Sequence, residues 1–596
     1  MEKGLTTIKG LFTGDKAFSV PIYQRYYSWG EKQWDDLWSD LYYLNTTKKH
    51  YFGTILLKST GKLIKEGLEP FDTYEIIDGQ QRITTILILI KEIVNQLRSL
   101  NDTNMERLLG KIEEDYLRYE TIYKLTLQGD DQSFFKQYII NNQEEAIDTL
   151  TNSQKRLKDA KLFFRDKLEN LNLDLKSYKE FLLTLKQKIN DLEIILYDVD
   201  NDSDAVLIFE TVNDRGKPLT NLEKTKSFLM HMVYLSAPKN VDLYLDCINE
   251  RFSNIFQLFE QINNHSRGKN LKEDDIQRYH FVIYQKNLKK RLESSYKYMD
   301  EFKEFVKNLN RIDSTKTIEY VLDYTEDLEK TFHTMKEIIT YQKDTPNGYL
   351  LHRIFVLERI ANFFPLLIAF WPKYKDKEIE SLLKLVEIAS FRLYAIGKRK
   401  TNAGLGFLYN LAFEVHYDKL EFSKIQKKFI NNFINIYEDD KGFERDLKIE
   451  NFYNKISNRD KKYLFFFYEV YLQKTAKENL ELDIDKFLKP KYEIEHIWPN
   501  STKKLHLSRK KEIEHENYKN KLGNLTVATK SWNAKWQDSP FETKRKYYED
   551  SSFRLQRDLQ KYSHWGLEQI ETREDEIIKF VLKFWKIPEI SYNILE

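Results

Sequence analysis

A glutamate and a histidine stand side by side in YEIEHIWPN, residues 492–500, and Asn533 follows in the same part of the chain. Hydrolysis of a phosphodiester with one divalent cation needs a base that deprotonates water, oxygen ligands for the cation and a positive group near the phosphate. His496 can be the base, whereas a half-buried structural histidine is the alternative. Glu495 and the side-chain oxygen of Asn533 suit Mg²⁺, which prefers oxygen ligands. Adjacent strand residues face opposite sides, so Glu495 and His496 can share a site only if the strand ends or bulges there. Glu493 lies on the same side as Glu495 and is a reserve ligand.

A second polar segment, YEIIDGQQRITTI (74–86), ends a predicted strand at Asp78-Gly79 and then opens a helix. Free N–H groups at a helix N-terminus attract phosphate, and Arg82 can bind phosphate with two parallel hydrogen bonds. Asp78 can hold a metal ion or a water. An ordinary strand–turn–helix connection is the alternative interpretation. The sequence contains no G-x-x-x-x-G-K-[ST] segment, which excludes an ordinary Walker NTPase.

Strands and helices must position these side chains. AFSVPIYQRYYSW, YFGTILLKS and TYEIIDG are typical of strands with turns between them, and a buried helix is predicted from about Thr84. LEIILYDV (192–199) predicts a further strand, and Thr220 with Glu223 forms the capping box of a later helix. Residues from about 235 to 480 have helical spacing almost throughout.

Strand patterns return only near the C-terminal end, at 492–498 and 522–528. A short helix from Ser531 is predicted to carry Asn533. A second helix is predicted to open with an N-cap, a proline at its first position and a capping-box acid, which are Ser539, Pro540 and Glu542. The histidines of the polar segment between the two strand patterns, His506 and His515, are predicted to be exposed.

These patterns together predict an α+β, predominantly helical protein. We divide it into an α+β domain at 1–235, a helical middle region at 236–480 and a small α+β domain at 481–596.

Composition limits the class of protein. Of the 596 residues, 41% are apolar and 32% charged, as in an ordinary soluble protein. The single cysteine, Cys247, excludes a disulfide framework and a cysteine-based zinc site. The apolar runs are too short to span a bilayer, so we expect a cytoplasmic protein without membrane contact. The net charge is only +2, but residues 491–561 hold 16 Lys/Arg against 10 Asp/Glu, which suits either DNA contact or a solvated basic surface.

The C-terminal motifs resemble the HNH (ββα-metal, His-Me finger) nucleases, and most closely the nuclease domain of GmrSD-type modification-dependent restriction enzymes. The matching segments are EHIWP at 495–499, GNLT at 523–526, and Asn533 beyond them. The resemblance implies that His496 is the general base and Asn533 a metal ligand, while Asn524 holds the loop that orients His496. It also implies that Lys544 approaches the phosphate.

The N-terminal motifs resemble, in order, those of the GmrS-type domain, which is related to the ParB/sulfiredoxin-like fold and associated with nucleotide binding and hydrolysis. They are VPIYQRYYSW (20–29), YFGTILL (51–57), IIDGQQRITTI (76–86) and IFETVNDRGKPLTNLEKTKSFL (208–229). SspE-type relatives share this two-domain plan. The aromatic residues of the first motif, Tyr23, Tyr26, Tyr27 and Trp29, are predicted to pack in the core. The residues implied to form or flank the nucleotide site are Asp78, Gly79, Gln80, Gln81, Arg82, Gln24, Arg25, Asn213 and Arg215.

The resemblance predicts a defence nuclease with an HNH site that uses Mg²⁺ or Mn²⁺. Its N-terminal domain would bind and hydrolyse an NTP, such as GTP or UTP, and sense a feature of double-stranded DNA, such as the modification of phage DNA. A homodimer is compatible with the sequence. Two alternatives remain: a toxin nuclease that cuts RNA or its own cell's DNA, and an NTP-switched DNA-binding protein with a weak nuclease. No helix-turn-helix or zinc finger is evident, so reading of a base sequence is not supported.

Overall fold

The structure is a computed structural model that describes residues 4–44, 50–65, 70–144, 151–198, 219–237, 241–418, 420–478, 482–501, 507–536 and 538–589. These residues form an α+β and mostly helical protein, as the sequence predicts. None of the helices described there is both long and apolar enough to cross a membrane.

The chain divides into two compact units. Unit 1 comprises Met1–Arg278 and Lys297–Lys336, and unit 2 comprises Tyr279–Tyr296 and Glu337–Glu596. The helical middle region, predicted as one segment at 236–480, is therefore shared between the two units.

Unit 1 contains a six-stranded mixed sheet and a separate short hairpin. The strands are β1 Gly4–Thr7, β2 Lys16–Ser19, β3 Tyr51–Ile64, β4 Phe71–Asp78, β5 Arg118–Tyr119, β6 Ile122–Tyr123, β7 Leu125–Thr126 and β8 Glu193–Asp198. The order in the sheet is β1-β8-β3-β4-β2-β7, and the hairpin joins β5 and β6. Strand β1 pairs antiparallel with β8, and β3 antiparallel with β4, whereas the pairs β3/β8, β2/β4 and β2/β7 are parallel.

Helices cover this sheet, and the most buried of them is Gln80–Ser99. Its apolar residues lie on most of its faces, so it packs inside the main core of the unit instead of on its surface. The other α-helices that lie wholly in unit 1 are Ile8–Phe12, Glu31–Tyr43, Glu106–Tyr116, Asp130–Phe134, Asn152–Glu169, Leu175–Asn190, Asn221–Ser236, Val241–Asn264 and Tyr298–Ile312. Thr103–Met105 is a 3₁₀ turn and Phe135–Ile140 a π-helical segment.

Unit 2 is helical apart from one antiparallel strand pair, β9 (Tyr492–His496) with β10 (Leu525–Thr529), within the part of the chain that the structure describes. Helices Glu273–Tyr284 and Ser314–Thr340 begin in unit 1 and end in unit 2. The remaining α-helices are Arg291–Tyr296, Pro346–Val356, Phe364–Phe370, Asp376–Ala389, Leu405–Tyr417, Phe422–Phe429, Asn435–Glu438, Asp440–Leu447, Phe452–Lys455, Asn458–Thr475, Ile484–Leu488, Arg509–Tyr518, Lys530–Trp536, Phe541–Tyr548, Arg554–Arg557 and Leu567–Phe584.

Short 3₁₀ and π segments complete unit 2. The 3₁₀ turns are Ile360–Phe363, Leu522–Asn524 and Asp558–Lys561, and the π segments are Ser390–Ile396 and Ile430–Ile434.

Several local predictions are confirmed. Strand β8 covers most of LEIILYDV. The capping box before Asn221–Ser236 is present, because Thr220 N donates to a Glu223 carboxylate oxygen at 2.8 Å and Glu223 N donates to Thr220 Oγ1 at 3.2 Å. Tyr23 and Tyr27 are buried in unit 1, and Trp29 packs against its core.

Other local predictions need correction. The segment YQRYYSW is a loop and not a strand, since β2 ends at Ser19. The helix predicted from Thr84 begins at Gln80, because Gly79 adopts a left-handed conformation that ends β4 and opens the helix at once. Helix Phe541–Tyr548 has Pro540 as its N-cap, so Ser539 does not cap it. His515 is fully buried and not exposed, since its Nε2 bonds to Pro499 O at 2.7 Å; His506 lies outside the described residues.

Candidate active site

Asn524, directly before β10, bonds to the loop that follows β9. In the register of this pair, His496 lies opposite Leu525 and Glu495 opposite Thr526. The fully buried Asn524 side chain accepts hydrogen bonds from Trp498 N at 2.7 Å and Trp565 Nε1 at 2.9 Å. Its amide also donates to Trp498 O at 2.9 Å and to Lys519 O at 2.8 Å. Asn524 therefore fixes the loop that follows His496, the role implied for it by the resemblance.

His496 sits at the end of β9 with only 7% of its surface exposed. The side-chain oxygen of Asn520 lies 3.2 Å from Nε2, and the ring of Tyr453 lies 4.3 Å from the imidazole, centre to centre. With the Asn520 oxygen as the acceptor in this contact, Nε2 carries the proton and Nδ1 is the basic nitrogen. Burial lowers the pKa of His496 to about 4. The imidazole is therefore neutral at neutral pH and able to accept a proton.

Two oxygen-bearing side chains meet beside this strand pair. Asn533, on helix Lys530–Trp536, donates from Nδ2 to Glu493 Oε2 at 2.8 Å. Half a turn about the amide bond would present the Asn533 oxygen instead, so Glu493 and Asn533 can offer two oxygen ligands. Tyr453 packs on the His496 ring; burial raises the pKa of Tyr453, and the charges of Glu495 and Glu493 raise it further.

Glu495 is paired with a lysine in this structure, whereas the sequence analysis predicts it as a metal ligand. Its carboxylate forms an ion pair with Lys544, which also donates to His496 O at 2.7 Å. Lys544 has no exposed surface, and Glu495 is buried with it. The structure thus places Lys544 as the counter-ion of Glu495. The catalytic roles of both residues stay predictions.

The fit of a divalent ion can be judged from this donor set. Among the residues that the structure describes, no group of three His, Cys, Asp or Glu side chains is placed to hold a metal ion. Mg²⁺, however, keeps several waters and needs only one or two protein carboxylates. Glu493 and Asn533 fit such an ion, whereas Glu495 does not fit while Lys544 neutralises it.

The N-terminal motif residues are engaged by the neighbouring loop, residues 20–30. Gln80 Nε2 donates to Arg25 O at 2.8 Å, and Gln81 Oε1 accepts from Ser28 N at 2.7 Å and from Trp29 N at 3.2 Å. Gln24 in turn donates to the carbonyls of Ile76 and Ile77. These buried amides satisfy backbone groups of a loop that has no strand partner there, so they hold the loop against β4 and the helix after it.

Arg82 lies against the backbone of β3. Its guanidinium donates to Thr54 O at 2.7 Å and Phe52 O at 3.3 Å, and contacts Asp78 at 2.9 Å. Burial raises the pKa of Asp78, and the Arg82 charge opposes that rise. Gly53 leaves the space for this guanidinium, since a Cβ at Gly53 would lie 1.8 Å from Arg82 Nη1. Arg82 is thus a link between β3 and β4 in this structure, and its role toward phosphate stays a prediction.

A cavity of about 240 Å³ lies beside the loop of residues 20–30, within unit 1. Arg25, Tyr26 and Arg156 line it together with Phe256 and Phe259. Its acidic lining residues are Asp130, Asp131, Glu223, Glu260 and Glu273. Of the predicted nucleotide residues only Arg25 borders this cavity within the described ranges; Asn213 and Arg215 lie outside them.

Comparison with known proteins finds two matching domain families. Residues 8–230 match the N-terminal domain of the GmrSD restriction endonucleases, and residues 437–580 match their C-terminal domain. The chain belongs to the GmrSD restriction endonucleases. As a GmrSD protein it is a nuclease of DNA restriction, and DNA is its partner. No curated protein matches the chain at a significant level.

Two neighbours of His496 in this GmrSD chain do not follow from the motif reasoning. Asn520 lies three residues before the GNLT segment. An asparagine so close to that motif is a signal that could have predicted its contact with His496. Tyr453 comes from helix Phe452–Lys455, in the region predicted only as helical. Its contact with His496 depends on how distant parts of the chain pack, which no local pattern reveals.

Proposed function

We propose that this protein is a DNA endonuclease with a one-metal HNH site that uses Mg²⁺ or Mn²⁺. The observation that carries the proposal is the neutral His496 imidazole, oriented by Asn520 and Tyr453 at the end of β9. The strand pair β9/β10 followed by helix Lys530–Trp536 supports the assignment of a ββα-metal fold.

The proposed reaction assigns one role to each of these side chains. His496 Nδ1 takes a proton from a water molecule, whose oxygen forms the new bond to phosphorus. The bond from phosphorus to the leaving oxygen breaks, and solvent protonates that oxygen. Glu493 and Asn533 would hold the divalent ion, and a bound ion stabilises negative charge on the phosphate. Asn524 and the Glu495–Lys544 pair keep the loop and strand around His496 rigid.

We further propose that the N-terminal unit binds a nucleotide and senses marked DNA, such as modified phage DNA. The resemblance of the YQR, DGQQR and NDRG segments supports this role. The cavity beside Arg25 and Tyr26 is the space that a ligand would use in this region. Five carboxylates line that cavity against two arginines, so a triphosphate would meet opposing charge there and its binding must be measured directly.

One experiment tests the nuclease proposal. Plain and modified phage DNA, together with RNA, are incubated with the purified full chain, with and without Mg²⁺ and NTP. His496→Ala is expected to slow DNA cleavage by about 10²–10⁴-fold, because the base is lost. His564→Ala is the matched control, since His564 is exposed and far from β9 in the sequence. Cleavage by His496→Ala at the rate of the control would refute the assignment, and cleavage of RNA alone would favour the toxin alternative.

A further inference from the structure

A cleft of about 430 Å³ lies within unit 2, and none of His496, Glu493, Glu495 and Asn533 lines it. Its walls come from helix Asn458–Thr475, helix Leu567–Phe584 and the segment 555–562. This volume falls in the range that small-molecule sites occupy, roughly 300–1,000 Å³.

One wall of the cleft is aromatic. Tyr468, Tyr471 and Phe580 lie in contact, with ring centres 4.9 Å apart for Tyr471–Phe580 and 5.3 Å apart for Tyr468–Phe580. Tyr468 and Phe580 are buried, whereas Tyr471 keeps 41% of its surface exposed. The wall therefore has an accessible ring on which a flat ligand ring can stack.

The remaining lining is cationic once internal ion pairs are taken into account. The two acids of the cleft already have partners: Glu576 pairs with Lys561 at 3.2 Å and Asp558 with Arg554 at 2.6 Å. Lys579 and Lys583 also line the cleft, are exposed, and form no ion pair within the described part of the chain. Their charges are free to attract an anion.

Arg573 adds a buried positive charge to the lining of the same cleft. It is only 3% exposed, lines the cleft, and donates from Nη1 to Gly523 O and Leu525 O at 2.7 Å each. Its Nη2 has no acceptor among the described residues, and burial lowers its pKa. A desolvated guanidinium whose hydrogen bonds reach only neutral carbonyls favours an anion nearby.

We propose that this cleft binds a small ligand that combines a phosphate group with a flat aromatic ring, that is, a nucleotide. The phosphate lies at Lys579 and Lys583, with the Arg573 charge in the same lining, and the base stacks on Tyr471. The cleft is concave and sized for a small molecule, so duplex DNA, which is convex and about 20 Å across, does not fill it. The site is distinct from the cavity beside Arg25 in unit 1.

Binding is measured on the full-length protein without DNA, by calorimetry, with AMP, GMP, UMP, GTP and inorganic phosphate as probes. At least one nucleotide is expected to bind. Lys579→Glu and Lys583→Glu should each lower the affinity for that nucleotide by about tenfold or more, because a charge-assisted contact becomes a repulsive one. Lys586→Glu, the same change on a lysine outside the cleft, should leave its affinity unchanged.

Tyr471→Ala separates the two halves of the ligand. It should lower the affinity for the nucleotide several-fold and leave the affinity for inorganic phosphate unchanged, since only the stacking ring is removed. All four variants change exposed residues, so a loss of folding does not confuse the result.

Three outcomes would overturn the proposal. The first is that no nucleotide binds, and the second is that the cleft variants bind as tightly as Lys586→Glu. The third is that a 5′-phosphorylated oligonucleotide depends on Lys579 and Lys583 while the mononucleotides do not. Arg25→Ala is measured in parallel, because a loss of nucleotide binding there and not in the cleft variants would assign the ligand to the unit 1 cavity.

Discussion

Glu493 and Glu495 differ by one strand repeat, yet they have different neighbours. Glu493 bonds to Asn533, whereas Glu495 is paired with Lys544 inside the domain. Burial raises the pKa of Glu495 and lowers that of Lys544, and their mutual contact opposes both shifts. The two carboxylates are therefore expected to act on different quantities, one on metal affinity and the other on stability.

Glu493→Gln and Asn533→Ala should each raise the Mg²⁺ concentration needed for half-maximal DNA cleavage by at least about tenfold. The reason is that Asn533→Ala removes one of the two proposed oxygen ligands, and Glu493→Gln replaces the other, a charged carboxylate, by a neutral amide. A Mg²⁺ titration of the cleavage rate measures the effect, with the exposed Glu512→Gln as the control. An unchanged titration curve for both variants would remove Glu493 and Asn533 from the metal site.

Glu495→Gln should lower the free energy of unfolding by about 3–5 kcal/mol, because Lys544 is then left buried without a counter-ion. Glu495→Met combined with Lys544→Met should recover most of that loss, since both charges are removed. Denaturant unfolding measures all three proteins. A Glu495→Gln variant that is as stable as the parent but needs more Mg²⁺ would show that Glu495 is a ligand after all.

At this scale the sequence supports predictions where chemistry depends on local spacing. The EHIWP, GNLT and Asn533 pattern identifies the neighbourhood of His496 and the clamp made by Asn524. It does not identify which carboxylate Lys544 neutralises, because that partner lies 49 residues away on another element. The burial of His515 escapes prediction for the same reason: its acceptor, Pro499 O, belongs to a different segment.

At the scale of elements, one side chain links three of them: the guanidinium of Arg82, on the helix after β4, contacts both β3 and β4, which also pair as strands. Arg82 binds the carbonyls of Phe52 and Thr54, and Gly53 between them leaves room for it. Gly53 also has φ +120°, where residues with a Cβ are strained.

Gly53→Ala should therefore cost about 1–3 kcal/mol of stability, because the new Cβ displaces the guanidinium from its carbonyl partners. Gly61→Ala is the matched control, since Gly61 lies in the same strand with φ +66° and a Cβ added there would meet no atom within 4 Å. In an Arg82→Ala background the extra cost of Gly53→Ala over Gly61→Ala should fall, because the clash is removed and only the backbone strain at φ +120° remains. If the extra cost does not fall there, the clash with Arg82 is not part of its cause.

Periodicity predicts most of these elements correctly, including the buried helix after β4 and the helical middle region. It fails at the 20–30 loop, whose aromatic and β-branched residues are typical of a strand. Those backbone groups bond to the side chains of Gln80 and Gln81 instead of to a neighbouring strand. Side-chain partners so far along the chain cannot be read from strand propensity.

For the whole molecule, the division into two compact units predicts that unfolding is not a single transition. Calorimetry is expected to resolve two transitions. Leu87→Ala, in the unit 1 core, should lower one of them, and Leu464→Ala, in unit 2, should lower the other, each by the loss of about 2–5 kcal/mol of core packing. A single transition that both variants lower equally would show that the units unfold together.

Neither unit is a continuous stretch of chain. Unit 2 includes Tyr279–Tyr296, whose Phe281, Val282 and Ile283 are buried, and unit 1 reaches forward to Lys336. A gene fragment that ends at residue 278, or one that starts at 337, therefore encodes a unit with part of its core missing. Fragments cut at the family limits, 8–230 or 437–580, lose still more. Exchanging one unit between relatives therefore requires three crossovers, at 278/279, 296/297 and 336/337.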